Sequence, residues 1–327
     1  MVWLKFIICL LIVFFSGRKV AKYGDIIADR SGLGGVWIGV ILISLVTSLP
    51  EFFTGVSAVI LVDAPDLTVG DLLGANAFNL FNLALLDIIH QNNSILASIR
   101  TTHRLTGWFS LLLVLVVAIS IFVSHQLHPM SLGWIGWYTP LIVLLYLVAV
   151  RTIFLHERGL PPFPEVEAYQ HEPTPRVYLY FATAAVCIIG AGIWLPMIGK
   201  EIALVHGWNQ SFIGSLFLAF TTSLPEISVS FAAMRIGATD MAVANMIGSN
   251  LFNMTIIPVG DLLYLKGPML ASASPSHLVT ALAVIVMTLL VIAGVRFRPK
   301  RFFRLSWWSL PVIALFLLNA YFGFTIA

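Results

Sequence analysis

Apolar residues in this chain come in long unbroken runs rather than in narrow stripes. Runs near the length that a helix needs to cross a bilayer, about 20 residues, cover approximately 2–24, 34–61, 69–89, 106–124, 131–154, 177–199, 210–234, 240–265, 277–295 and 306–326. Polar and charged positions collect in the short connections between them. The pattern predicts an all-α polytopic membrane protein with ten transmembrane helices. The longest connection, 155–176, holds Pro161, Pro162, Pro164, Pro173 and Pro175 among several charges, and reads as a linker without a core of its own. The first 17 residues have the make-up of a signal peptide, with Lys5, an apolar stretch and Ser16-Gly17. They are read as the first span, because they have a counterpart in the second half of the chain.

That counterpart belongs to an internal repeat. Gly17 aligns with Gly192, Gly24 with Gly199, Ile27-Ala28 with Ile202-Ala203, Gly32 with Gly207, and Ile38-Gly39 with Ile213-Gly214. Thr47-Ser48-Leu49-Pro50-Glu51 then recurs unchanged as Thr222-Ser223-Leu224-Pro225-Glu226. After a one-residue deletion, Gly74 aligns with Gly248, Asn76 with Asn250, Phe78-Asn79 with Phe252-Asn253, and Asp87 with Asp261. The halves are 1–154 and 177–327, with five spans each. An odd number of spans makes the second half enter the membrane upside down. This is the inverted-topology repeat of secondary transporters, which bind their substrates near the midplane.

Composition agrees with a membrane protein. Hydrophobic residues make up 59% and charged residues 10% of the chain, against about 25% charged in a soluble domain. Alternate loops hold all of the 18 Lys and Arg except Lys5, Lys200 and Lys266. By the positive-inside rule those loops, and the linker, are cytoplasmic and both termini lie outside. The net charge of +3 belongs to these loops and does not point to nucleic acid. Cys9 and Cys187 lie in apolar runs and read as packed thiols.

The repeated Thr-Ser-Leu-Pro-Glu carries the candidate chemistry. A carboxylate in an apolar span costs a few kcal/mol. Pro50 cannot donate to the carbonyl of Val46, nor Pro225 to that of Thr221, so each copy offers loosened backbone oxygens, two hydroxyls and a carboxylate within a turn. Such hard oxygen donors suit Ca²⁺ or Na⁺. Glu51 and Glu226 are expected to face one another across the pseudo-two-fold axis, where a divalent cation offsets their repulsion and burial. Asn76 and Asn79 share one helix face, as do Asn250 and Asn253, with Ser249 a turn before Asn253. Gly74 and Gly248 allow close helix approach. Asp87 and Asp261, near span ends, are expected to reach headgroup water; Asp71, aligned with Asn245, opens the third span, and a vestibule is one of the places open to it. The eight histidines fall in or near loops and receive no role.

These paired motifs, with the Gly-(Ala/Ser)-Asn-x-Phe-Asn elements at Gly74–Asn79 and Gly248–Asn253, resemble the α-repeats of the Na⁺/Ca²⁺ exchangers of the cation/Ca²⁺ antiporter superfamily. The resemblance covers roughly 17–89 and 192–263. It implies a Ca²⁺/Na⁺ antiporter working by alternating access, with the first and sixth spans sliding across the rest. It implies Ca²⁺ held by Glu51 and Glu226 with the backbone oxygens of Thr47 and Thr222. It implies Na⁺ against Ser48, Ser223, Ser249 and the two glutamates, the backbone oxygens of Ser44 and Ala219, and flanking Asn79 and Asn253. No cofactor or obligatory protein partner is implied beyond the two ions and the bilayer. The short architecture resembles prokaryotic members, which places the chain in a cytoplasmic membrane.

Four positions depart from the family pattern. Val46 and Thr221 stand where a glycine usually precedes the motif, Ala75 replaces a serine, and Asn253 stands where the second repeat often has Asp. Coupling to H⁺ or K⁺ on the same fold is therefore the alternative, and Ca²⁺ flux without a counter-gradient would mark a passive channel. An intramembrane aspartyl protease is the remote alternative. Val69-Gly70-Asp71 and Val259-Gly260-Asp261 approach its Gly-x-Gly-Asp motif, but both lack the first glycine.

Overall fold

The computed structural model describes residues 1–30, 43–90, 94–127, 130–158, 174–297, 301–302 and 305–325. It is predominantly helical: α1 (Val2–Arg30), α2 (Ile43–Thr47), α3 (Leu49–Ile60), α4 (Pro65–Ile89), α5 (Ile95–Ser98), α6 (Thr102–Gln126), α7 (Tyr138–Glu157), α8 (Thr174–His206), α9 (Gln210–Phe212), α10 (Ala219–Thr222), α11 (Leu224–Arg235), α12 (Thr239–Leu263), α13 (Met269–Ser272), α14 (His277–Phe297) and α15 (Ser309–Thr325). A π-helical turn, Ile213–Leu218, joins α9 to α10. Short antiparallel hairpins, Ser131–Leu132 with Ile135–Gly136 and Arg301–Phe302 with Leu305–Ser306, precede α7 and α15. A helix lies in each of the ten apolar runs. Among the described residues, α4, α6, α7, α8, α12 and α14 are long and apolar enough to cross a membrane, and the bent pair Gln210–Thr222 with Leu224–Arg235 raises this to seven. Residues 34–42, expected to open the second span, and most of the linker (159–173) lie outside the described residues.

Burial sorts these helices into a centre and a periphery. The apolar stretches of α4 and α12 are 78% and 83% buried, whereas those of α7 and α8 are 28% and 39% buried. Polar residues at i, i+3 and i+4 on α4 and α12 therefore face protein, while large apolar side chains of α1, α7, α8 and α15, such as Phe15, Leu144, Val186 and Leu317, face outward as a lipid-facing surface requires. Small residues bring the central helices together. A Cβ on Gly74 would sit 2.7 Å from both the Ser215 Cα and the Ala219 Cβ, and one on Gly70 would sit 3.0 Å from the Gly214 Cα. The helix α4 thus lies directly on the π turn. Helices α1 and α8 share a separate apolar cluster that includes Phe6, Cys9, Val13, Leu195 and Ile202, with a Lys5–Glu201 ion pair at 2.7 Å.

The two proline motifs break their helices in the same way. Ser48 (φ −85°, ψ 13°) separates α2 from α3, and Ser223 (φ −77°, ψ 0°) separates α10 from α11. Pro50 and Pro225 then occupy the first turn of the following helix, where a missing N–H costs nothing. The second break bends the path by 43°. Val46 and Thr221, which stand where glycine is usual, keep the motif helical up to the break. Val46 packs with Val20, Ala184 and Ile188, and the Thr221 hydroxyl donates to the Phe217 carbonyl at 2.9 Å.

The repeat continues in contacts where its letters stop. Asp87 Oδ1 accepts from the Ile95 N–H at 2.8 Å, and Asp261 Oδ1 accepts from the Met269 N–H at 2.7 Å. Asp87 also accepts from the Ser94 hydroxyl, and Asp261 from the Gly136 N–H and the Tyr138 and Thr139 hydroxyls. Both aspartates are fully buried, which corrects the expectation that they reach headgroup water. The segments that begin at Ser94 and at Met269 lie against these helix ends and replace water with backbone and side-chain donors. A second matched pair ties one half to the other. His103 Nε2 meets Asp240 Oδ1 at 3.0 Å, where the Arg100 N–H also donates. His277 Nε2 meets Asp66 Oδ1 at 3.0 Å, where the Ser274 N–H also donates.

Candidate ion-binding centre

The broken helices and the two central helices bring the motif residues to one place. Glu51, on the first turn of α3, and Glu226, on the first turn of α11, are both fully buried. Their environments differ. Glu226 Oε1 accepts from the Ser48 hydroxyl at 3.0 Å and the Ser249 hydroxyl at 3.3 Å. Neither oxygen of Glu51 has a hydrogen-bond partner among the described residues, and Glu226 Oε2 has none. The repeat accounts for one of the two missing donors, since Ala75 is the counterpart of Ser249 and has no hydroxyl to give; the other, Ser223, is the counterpart of Ser48 but its hydroxyl does not reach Glu51.

Four asparagines clasp α4 to α12. Asn76 and Asn250 each donate to the other's main-chain oxygen at 3.2 Å. Asn79 donates to Asn250 Oδ1 at 3.0 Å and Asn253 to Asn76 Oδ1 at 3.1 Å. This leaves Asn79 Oδ1 and Asn253 Oδ1 buried without a donor, as is the Ser223 hydroxyl. Asn76 and Asn250 spend their side chains on the helix crossing, while Asn79 and Asn253 keep an oxygen free.

Thr47 and Thr222 occupy matched positions with unmatched partners. The Thr47 hydroxyl lies 3.2 Å from both the Ser44 carbonyl and Asn245 Oδ1, and 3.4 Å from Ser249 Oγ. The Thr222 hydroxyl lies 3.0 Å from Asp71 Oδ1, 3.2 Å from the Leu218 carbonyl and 3.3 Å from the Ala219 carbonyl. The Ser44 and Ala219 carbonyls also accept the N–H groups of Ser48 and Ser223, at 3.0 and 3.1 Å. The apolar run that starts at residue 69 puts Asp71 at the opening of the third span. The helix begins at Pro65, so Asp71 lies inside it, fully buried. Asn245, which received no role, donates from its amide to the Glu226 carbonyl at 3.2 Å and to the Ser230 hydroxyl at 3.0 Å. Its alignment with Asp71 was the available signal.

A buried carboxylate oxygen without a donor is costly unless a cation neutralises it. The free groups here are carboxylate, carboxamide and hydroxyl oxygens, with no sulfur or imidazole among them, which is the donor set of a hard cation. Among the described residues no three His, Cys, Asp or Glu side chains converge on a point, so neutral oxygens would complete any coordination shell around Glu51 and Glu226.

The helical chain thus has breaks in two matched helices, with buried carboxylate, carboxamide and hydroxyl oxygens beside them. The chain belongs to the sodium/calcium exchanger protein family, whose model matches residues 1–155 and 176–327. It is 27% identical over 258 residues to the inner membrane protein YrbG of Escherichia coli, a match that covers 77% of this chain and 76% of that one. It is 24% identical to the putative antiporter CaxA of Alkalimonas amylolytica, over 78% of each chain. The sodium/potassium/calcium exchanger 2 of Gallus gallus is 28% identical over 141 residues, 42% of this chain and 20% of its own length. The fold resembles that of the sodium-calcium exchanger NCX_Mj soaked with Na⁺ and Sr²⁺, with a TM-score of 0.63 at 22% identity over 97% of this chain and 98% of that one.

Proposed function

We propose that this protein is a secondary-active antiporter that exchanges Ca²⁺ for Na⁺ across a prokaryotic cytoplasmic membrane by alternating access. In this reading ten spans form two inverted halves, 1–154 and 177–327, joined by a cytoplasmic linker at 155–176, with both termini outside. Ca²⁺ takes Glu51 and Glu226 with main-chain oxygens of Thr47 and Thr222. Na⁺ takes Ser48, Ser223, Ser249 and the same carboxylates, with Asn79 and Asn253 flanking. The observation that carries the reading is the pair of fully buried glutamates whose free oxygens have no donor among the described residues. The family and the name of the CaxA relative support antiport.

A second reading keeps the site and changes the driving ion to K⁺ or H⁺. It is favoured by Ala75, which removes a hydroxyl from the Glu51 side, and by the similarity to sodium/potassium/calcium exchangers. Uptake of ⁴⁵Ca²⁺ into proteoliposomes, with an outward Na⁺, K⁺ or H⁺ gradient in turn, decides between them. Uptake driven by Na⁺ alone supports the first reading, and uptake driven only by K⁺ or H⁺ supports the second. Ca²⁺ flux indifferent to all three gradients would refute both.

A further inference from the structure

Away from the broken helices, the membrane-length helices α6, α7 and α14 each bring one end to a shared cavity of about 590 Å³. Arg104 stands in the first turn of α6, Arg296 in the last turn of α14 and His156 in the last turn of α7. Arg104 and Trp108 are four residues apart on α6, as are Ile292 and Arg296 on α14, so each arginine shares a helix face with an apolar neighbour. The two helices close on one another past Arg104, where a Cβ on Gly107 would lie 2.9 Å from Ile292 Cγ1. The cavity is therefore basic toward the helix ends and apolar toward the membrane interior.

Neither arginine has a carboxylate partner among the described residues. The ion pairs there join Lys5 with Glu201, His103 with Asp240, Lys266 with Asp63 and His277 with Asp66, and no Asp or Glu lines the cavity. The Arg296 guanidinium lies over the Phe297 ring, 5.8 Å from its centroid. Arg104 stands at a helix N-terminus, where the dipole disfavours a cation and favours an anion. Nor does the scaffold itself require these residues. At the offset that pairs His103 with His277, the counterparts of Arg104, Trp108 and Arg296 are Leu278, Leu282 and Phe122. The other half finishes the same helix ends with apolar side chains.

The two kinds of surface define the occupant. A soluble anion would use the guanidinium groups and leave the apolar wall bare, with Trp108 and Leu289 49% and 40% exposed. A zwitterionic headgroup would bring its ammonium group up to two cations with no carboxylate to receive it. An anionic phospholipid meets both surfaces: guanidinium forks bind its phosphodiester, and its acyl chain covers the apolar wall. Basic pockets between membrane helices suit such headgroups.

We propose that this cavity binds one anionic glycerophospholipid, with its phosphate between Arg104 and Arg296 and an acyl chain along Trp108, Leu289 and Ile292. Because α6 and α14 belong to different halves of the repeat, the lipid joins the halves at one membrane face. The site is independent of which ions the protein exchanges.

The test is lipid retention by the whole chain. Protein stripped of lipid in neutral detergent is titrated with phosphatidylglycerol or phosphatidylcholine, with and without inorganic phosphate, and bound lipid is counted by native mass spectrometry. The wild type should retain one phosphatidylglycerol at concentrations where phosphatidylcholine does not bind. Its affinity should fall roughly 30-fold when Arg104→Gln and Arg296→Gln are combined. It should stay within about twofold in Arg235→Gln, which removes an exposed charge from α11. Trp108→Phe gives a second readout that keeps both arginines. Phosphatidylglycerol brominated on its acyl chains should quench wild-type tryptophan fluorescence more than brominated phosphatidylcholine does, and Trp108→Phe should abolish the excess. If the double arginine variant does not fold, the Trp108→Phe comparison decides. Equal retention of the two lipids, an undiminished excess in Trp108→Phe, or displacement of the lipid by millimolar inorganic phosphate would each overturn the proposal. Lipid binding that appears only after Glu165, Glu167 and Glu172 of the linker are replaced by Gln would assign the cavity to the chain's own linker, and would overturn it as well.

Discussion

Replacing Glu51 by Gln removes one charge from the pocket and leaves its shape nearly unchanged. Neither oxygen of Glu51 meets a hydrogen-bond partner in good geometry among the described residues, so the near-isosteric substitution removes no such bond and chiefly tests the charge offered to the ion. Removing one partner of a buried charge pair costs about 3–5 kcal/mol. At 1.4 kcal/mol per tenfold, Ca²⁺ affinity should fall roughly 100- to 4,000-fold. Thermal unfolding in detergent, with and without Ca²⁺, reads this directly. At a Ca²⁺ concentration 100 times the wild-type Kd, bound ion stabilises the wild type by about 2.7 kcal/mol. For a variant weakened 100-fold, the same concentration gives about 0.4 kcal/mol, so the Ca²⁺-dependent rise in Tm should nearly vanish. The ion-free variant should unfold no earlier than ion-free wild type, because the repulsion among Glu51, Glu226 and Asp71 is reduced. A Glu51→Gln protein with a wild-type Ca²⁺ shift in Tm, or with Ca²⁺ transport near the wild-type rate, would show that the ion sits elsewhere.

Three further outcomes are expected. Ala75→Ser restores a hydroxyl one turn before Asn79, at the position where Ser249 serves Glu226; it should raise Na⁺ affinity or steepen the Na⁺ dependence of Ca²⁺ uptake at clamped potential, and an unchanged Na⁺ curve would show the missing hydroxyl to be immaterial. Gly74→Ala drives a methyl into the main chain at Ser215 and should cost about 1–3 kcal/mol or more with loss of exchange, whereas Gly190→Ala meets nothing within 4 Å and should leave the Tm unchanged. Single cysteines at the exposed Gln126 and Arg158, in a Cys187→Ala background, should label from opposite faces of the membrane; labelling from the same face would remove the proposed topology.

Much of this architecture was legible because the chain repeats itself. A helix lies in every apolar run, and the Thr-Ser-Leu-Pro-Glu copies do break their helices at Ser48 and Ser223 with matching dihedrals. What was not legible is contact across long separations. Asp87 and Asp261 stand near helix ends, where composition alone suggests water, yet the chain eight residues on folds back to bond them. His103–Asp240 and His277–Asp66 link opposite halves, and no local pattern marks either pair. Their equal spacing in the two repeats would have found them. The π turn before α10 is a change of hydrogen-bond register inside an apolar run, and residue types in such a run do not distinguish it from α-helix.

The inequivalence of the two halves at the centre has a physical consequence of its own. Repeat pairs that differ there include Asp71 with Asn245, Ala75 with Ser249, and Gly55 with Ser230. Each of these three takes a donor away from the Glu51 side. Glu226 is held by Ser48 and Ser249 through its carboxylate and by Asn245 through its main chain, so its position is determined before any ion arrives. Glu51 has no such hold on its carboxylate, and its rotamer is set by packing and by the charge it meets. The two buried carboxylates of the centre are thus held unequally, one by two hydroxyls and the other by packing alone. The nearly symmetric fold supplies two matched breaks, and the asymmetric donors leave the carboxylate on α3, rather than that on α11, without a hydrogen bond among the described residues.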